Sequence, residues 1–169
     1  MPPLYPRYSD LFAASFGSYD FYKQVTPPPA TWCQADKGYV CLFSLKNPSY
    51  PEFLCETACG VMCLDLHPAH PHMLVIGLYD GNVAVYNLQQ RSAGPNYIST
   101  ADNGKHTDVV WQVKWVKDNL EGYLNFYSVS GDGRVTSWTI VKTCLWHTDE
   151  LVITFAKELA NYGEAGLSR

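Results

Sequence analysis

Apolar and β-branched residues fall in short runs, each closed by a turn signal. The runs are "GYVCLFSL" (residues 38 to 45), "VMCLDLHP" (61 to 68), "HMLVIG" (72 to 77), "NVAVYNL" (82 to 88), "VVWQVKWV" (109 to 116) and "LNFYSV" (124 to 129). In "NVAVYNL", Val83 and Val85 point one way along a strand while Ala84, Tyr86 and Leu88 point the other. Both sets are apolar. A sheet with one wet face would alternate more cleanly, so the pattern predicts sheets covered on both sides. A parallel-sheet strand has the same two dry faces, but no helical segment separates the runs.

The runs recur in a fixed order. "LYDGNVAVYNL" (78 to 88) is echoed by "VSGDGRVTSWTI" (129 to 140). Asp80-Gly81 and Asp132-Gly133 each sit between β-prone runs. Such Asp-Gly pairs signal a hairpin, read here as type I′, whose centre needs positive φ. Tyr86 and Trp138, which close the echoes, are 52 residues apart; Phe43 holds the same place upstream, 43 before Tyr86. These spacings straddle the ~40–45 residues of a WD-type propeller blade. "LFAASFGSYD" (11 to 20) reads as the second strand of the first copy. The expected fold is all-β: a partial WD β-propeller of about three blades. The blades are placed at 9–58, 59–101 and 104–148, after a disordered 1–8.

Three stretches break the pattern. "KQVTPPPATWCQADK" (23 to 37) reads as a flexible insertion, because three consecutive prolines cannot sit inside a sheet. Residues 89 to 106 join two copies and hold a short outer strand near 97 to 100, and residues 117 to 123 form a hairpin loop. The tail, 149–169, changes character. Leu151, Phe155 and Leu159 recur every four residues, with Thr148 or Asp149 to cap and Gly163 to terminate, which predicts a short helix. The alternative for "LVITF" is a strand.

Aromatics make up 14% of the 169 residues, which suits pleated sheets. The net charge is -4, with no basic stripe. Nucleic-acid or anionic-membrane binding is therefore not expected, since phosphate contacts need clustered Lys and Arg. No run approaches the roughly 18 apolar residues of a membrane span. "MPPLYPRYSD" lacks the apolar core of a signal peptide, so a cytosolic chain with free thiols is expected.

Candidate chemistry lies in "GKHTDVVWQVKW … YSVSGDGRVTSW". His106, Ser128, Asp132 and Trp138 stand where WD repeats place a structural hydrogen-bond network. A buried indole N–H needs an acceptor, a hydroxyl both accepts and donates, and an imidazole can bridge to a carboxylate. A Ser, a His and an Asp also suggest a hydrolase, but "SGDG" is a hairpin turn without the G-x-S-x-G frame. Cys55, Cys59 and Cys63 stand near His67, His70 and His72, which raises a zinc-dependent enzyme as a rival. Their C-x3-C spacing departs from the tight zinc knuckle, and solvated turn histidines with core cysteines are the plainer reading. Trp111 and Trp115, four apart, fall on one side of a regular strand and are read as blade core, the rival being an exposed Trp that anchors a partner. No catalytic, cofactor-binding or metal-ligating residue is assigned.

Beyond the WD pattern, "FGSYDF", "CLFSLKNPSYPE", "GVMCLDLHPAHP", "YDGNVAVYNL" and the tract from "GKHTDVVWQVKW" to "LNFYSVSGDGRVTSWTIVK" resemble axonemal dynein intermediate chains, of the outer-arm intermediate chain 1 type. The resemblance runs from about Ser9 to Leu145. It implies a non-enzymatic motor subunit without cofactors, in the cytoplasm and cytoskeleton at the ciliary axoneme. Implied partners are a dynein heavy chain, a second dynein intermediate chain, and the axonemal microtubule doublet or its docking proteins. A scaffold of cytoplasmic dynein or intraflagellar transport is the alternative. The family propeller has more blades than the three readable here, and its N-terminal light-chain region has no counterpart, so the chain reads as truncated.

Overall fold

A computed structural model describes residues 11–17, 37–90, 94–118 and 121–153. These residues hold eleven strands and no helix. The first sheet contains β1 (Leu11–Phe16), β2 (Gly38–Ser44) and β3 (Phe53–Thr57). The middle sheet contains β4 (Val61–Leu66), β5 (Met73–Leu78), β6 (Val83–Asn87) and β7 (Tyr97–Ile98). The third contains β8 (Val110–Trp115), β9 (Asn125–Ser130), β10 (Arg134–Val141) and β11 (Cys144–Val152). Each sheet is antiparallel and its strands neighbour one another in chain order.

The sheets stack. One core, with Val40, Leu42, Leu74, Ile76 and Tyr86, lies between the first and middle sheets. Another, with Val75, Val85, Trp115, Phe126 and Trp138, lies between the middle and third. Sheet β4–β7 is therefore dry on both faces, and all six residues of β5 are buried. Burying each Leu or Ile there is worth about 1.5–3 kcal/mol. At the inner side, β4 and β5 both pack against β8.

The repeat is exact enough to share its register. Phe12 lies opposite Phe43, Leu74 opposite Tyr86, and Phe126 opposite Trp138. The innermost strands of the middle and third sheets carry the same irregularity, between Val61 and Cys63 and between Val110 and Gln112. That bulge corrects one expectation. An extra residue in a strand reverses the parity of side chains across it. Trp115 is 4% exposed in the core, but Trp111 is turned out to 54%.

The hairpin turns also differ from the expected type. Positive φ belongs to Gly81 (86°) and Gly133 (80°), while neither Asp80 nor Asp132 adopts it. A type I′ turn needs positive φ at both central residues; here a β-turn is followed by a left-handed glycine. Gly81 N–H donates to Leu78 O and Gly133 N–H to Ser130 O, each at 3.3 Å. The Asp side chains brace the turns instead. Oδ1 of Asp80 accepts the N–H of Asn82, and Oδ1 of Asp132 that of Arg134, both at 3.0 Å.

Two outer strands escaped the sequence pattern. β3 has only a half-buried apolar set, and β11 is exposed along most of its length. β11 continues through Asp149 and Leu151 to Val152, where a capped helix was expected. Pairing with β10 satisfies its backbone, which overrides a weak helical spacing. The rest of that helix, from 154 on, and most of the proline-rich insertion and the N-terminal eight residues lie outside the described residues.

Candidate functional site

The third sheet brings His106, Ser128, Asp132 and Trp138 into one chain of contacts. Trp138 Nε1–H donates to Ser128 Oγ at 2.7 Å. Ser128 Oγ lies 2.7 Å from His106 Nε2. His106 Nδ1 lies 3.1 Å from Asp132 Oδ2 and 3.3 Å from Oδ1. One proton arrangement satisfies every member. The serine hydroxyl accepts from the indole and donates to Nε2, and Nδ1–H donates to the carboxylate. The imidazole is then neutral. Burial pushes the His106 pKa down against the pull of Asp132, which agrees with that tautomer.

Strand geometry places these groups. Ser128 and Trp138 are on β9 and β10, two residues apart along the shared inward face, and both side chains are fully buried. His106 precedes β8 and Asp132 occupies the hairpin turn. Burial alone would raise the Asp132 pKa. The N–H groups of Arg134 and Thr107, the Arg134 guanidinium and His106 outweigh that and bring it down to about 2.

The cluster is larger than the spacing of motif residues suggests. Arg134 Nε–H donates to Asp132 Oδ2 at 3.0 Å, Nη1–H to Asp149 Oδ2 at 3.3 Å, and Nη2–H to Lys105 O at 2.8 Å. Asp149 also accepts the Thr136 hydroxyl at 2.7 Å. Arg134 thus ties the hairpin to the outer strand and to the segment leading into β8. The sequence marked Asp149 as a helix cap; in the structure it lies on β11 and takes Arg134 and Thr136 as partners instead.

The middle sheet lacks this chain of contacts. By register, Thr57 stands at the His106 position, Ile76 at Ser128 and Tyr86 at Trp138. Asp80 holds Asn82 and lies 3.5 Å from Lys105 Nζ. An aliphatic core takes the place of the polar relay.

A second connection joins the middle and third sheets. Asp65, buried on β4, accepts from Lys114 Nζ at 2.9 Å through Oδ1 and from Trp115 N–H at 2.8 Å through Oδ2. Trp115 Nε1–H donates to Asp65 O at 3.1 Å. One aspartate therefore holds two consecutive residues of the next blade. No spacing in the sequence pointed to Asp65.

The cysteines and histidines of the zinc alternative part company. Cys63 turns towards the third sheet, its thiol 3.4 Å from Val110 O, while Cys55 and Cys59 pack against the core of the first and middle sheets. Burial pushes the Cys63 thiol up to about 12 and Cys59 to about 11. Among the described residues no group of three metal-ligating side chains is assembled. His67 Nδ1 accepts the N–H groups of Ala69 and His70, which braces the turn after β4. His67 Nε2 is 3.3 Å from Asp118 Oδ1, without the alignment of a hydrogen bond. Burial and the neighbouring His70 push the His67 pKa down, against Asp118. A cleft of about 570 Å³ beside it is walled by His67, Pro68, Trp115 and Asp118. Among the described residues no helix is long and apolar enough to cross a membrane.

Stacked antiparallel sheets of one register, the middle and third each with an Asp-Gly hairpin between two of its strands, define a segment of a WD-type β-propeller. No protein-family model matches the chain. Over 144 residues, 85% of its length, it is 51% identical to dynein axonemal intermediate chain 1 of Bos taurus and of Rattus norvegicus. It is 40% identical, over 138 residues and 82% of its length, to the 78 kDa intermediate chain of the flagellar outer arm dynein of Chlamydomonas reinhardtii. The chain is related to the axonemal dynein intermediate chains, and it spans 19% of the length of each of these curated relatives.

Proposed function

We propose that the chain is a non-catalytic WD-repeat scaffold of the axonemal outer-arm dynein, located at the ciliary or flagellar axoneme. Its blades present loops and sheet faces to a dynein heavy chain, alongside a second intermediate chain and the doublet microtubule or its docking proteins. The observation that carries this reading is 51% identity to dynein axonemal intermediate chain 1 across most of the chain. The polar cluster supports a structural role. His106, Ser128 and Trp138 are buried and pair with one another, so the relay offers no exposed nucleophile. A hydrolase needs groups that reach a substrate.

The test is affinity capture of the tagged chain from axonemal extracts of ciliated cells. Co-recovery of an outer-arm heavy chain supports the reading. Capture of cytoplasmic dynein or intraflagellar-transport subunits, with no axonemal heavy chain, overturns it.

A further inference from the structure

The seam between the middle and third sheets opens, at the strand ends remote from the Asp-Gly turns, into the cleft of about 570 Å³ beside His67. One wall is the turn after β4, with Pro68 and Ala69; the other is the end of β8, with Trp115, and the stretch that follows to Asp118. Both sheets lie within the chain, so a further blade beside the first or the third sheet would leave the cleft in place. Asp65 fixes the seam: its carboxylate accepts the Trp115 backbone N–H, and its carbonyl accepts the Trp115 indole N–H. Clefts of this size suit small ligands and single side chains of a partner.

His67 brings one unanswered donor to this cleft. The residue is only 2% exposed. Its Nδ1 accepts the N–H of Ala69 at 3.1 Å and that of His70 at 2.9 Å, so the ring proton sits on Nε2. That buried Nε2–H has no hydrogen-bond partner among the described residues. Asp118 Oδ1 lies over it at 3.3 Å but out of line, on a side chain that is one-third exposed. An unpaired buried donor is costly, and a group that answered it would be held firmly. The same tautomer argues against a metal at Nε2, because a protonated ring nitrogen has no lone pair to give.

We infer that the cleft is a docking site for an asparagine or glutamine side chain of a partner protein, its carboxamide oxygen accepting the His67 Nε2–H and its NH₂ donating to Asp118. The argument is complementarity. An anionic group would meet the Asp118 carboxylate, and a cation would leave the Nε2–H unpaired. A neutral group with an acceptor and a donor on one edge answers both. A primary carboxamide has such an edge, whereas a trans peptide group points its C=O and N–H in opposite directions. Pro68, Ala69 and Trp115 supply apolar walls for its flat faces. Entry needs the Asp118 side chain to swing aside, a fast rotamer step for a partly exposed residue. The inference goes beyond the scaffold reading and does not depend on which assembly supplies the partner.

NMR of the 169-residue chain, with isotope-labelled histidine and tryptophan, tests it. The probes are propionamide, its carboxylate analogue propionate, and N-methylacetamide, which carries a trans amide. His67 is expected as the Nε2–H tautomer. Propionamide is expected to shift that proton and the Trp115 indole N–H saturably, with a dissociation constant in the millimolar range. The other two probes are expected to bind at least about fivefold more weakly, roughly the worth of one hydrogen bond. His67→Asn keeps an acceptor for the turn but removes the Nε2–H, and Asp118→Ala leaves the turn's own hydrogen bonds intact. Each is expected to lose at least about fivefold in propionamide affinity, read at Trp115. Asp118→Ala is also expected to narrow the margin over propionate. Circular dichroism checks that the variants are folded, and Asp118→Ala decides alone where His67→Asn does not fold. An Nδ1–H tautomer at His67 overturns the inference. So does the lack of a saturable shift up to about 100 mM propionamide, the result when water or Asp118 by itself satisfies the donor. Equal affinity for the three probes overturns it as well.

Discussion

His106 rests on Gly81. The backbone N–H of His106 donates to Gly81 O at 3.1 Å, and a Cβ placed on Gly81 would lie 2.2 Å from His106 O. The hairpin turn of the middle blade is thus the seat for the histidine that opens the third. Gly81 also holds φ at 86°. Gly81→Ala combines backbone strain with a clash against backbone, for an expected loss of at least ~1–3 kcal/mol. Gly133 has the same conformation, but its added Cβ would meet Ile153 O at the milder 2.9 Å. Thermal melting of both variants is expected to show the larger loss for Gly81→Ala.

Ser128 serves two partners. Ser128→Ala strands both the Trp138 N–H and His106 Nε2 in the core, at an expected ~2–6 kcal/mol, since each unpaired buried group costs ~1–3 kcal/mol. Trp138→Phe removes one of those demands. In a double-mutant cycle the two changes are expected to be less than additive, by more than ~0.5 kcal/mol. Full additivity in denaturant melts would mean that the two side chains are energetically independent.

Acid should loosen the third blade in two stages. The pKa of His106 is lowered in the fold by burial, so its contribution is complete above the unfolded value near 6.5 and declines as pH falls below it. The pKa of Asp132 falls from 3.8 to about 2, so its contribution, about 2 kcal/mol, is lost as pH drops from about 4 towards 2. Melting temperature against pH should decline through both windows. In Asp132→Asn the lower one should flatten.

Asp65 is expected to matter more than its surface ion pair suggests. The lysine it meets is largely exposed, and such pairs contribute little. The N–H of Trp115 is buried, and Asp65 Oδ2 accepts it at 2.8 Å. Asp65→Ala should cost about 1–3 kcal/mol. Lys114→Ala should cost a few tenths of that range, and added salt should reduce only the lysine effect.

Alkylation separates the thiols. Cys144 is exposed, whereas burial holds Cys63 and Cys59 protonated at neutral pH. Peptide mapping after brief iodoacetamide treatment should find Cys144 modified in the native chain, and Cys63 modified only after denaturant is added.

The all-β fold and its repeat were legible in the chain because both are local. Two dry faces in "NVAVYNL", the Asp-Gly pairs and the spacing of Phe43, Tyr86 and Trp138 are all written within a few dozen residues. The same spacing singled out His106, Ser128, Asp132 and Trp138. What joins them was decided in three dimensions. Arg134 and Asp149 meet only because β11 pairs with β10, and Gly81 meets His106 only because two blades stack. Asp65 finds Trp115 across a gap of 50 residues. The bulge that expels Trp111 depends on the register between β8 and β9. Hydrophobic periodicity reports which face of a strand is dry. Partners across sheets, and the parity of an interrupted strand, are set by how the sheets close on one another.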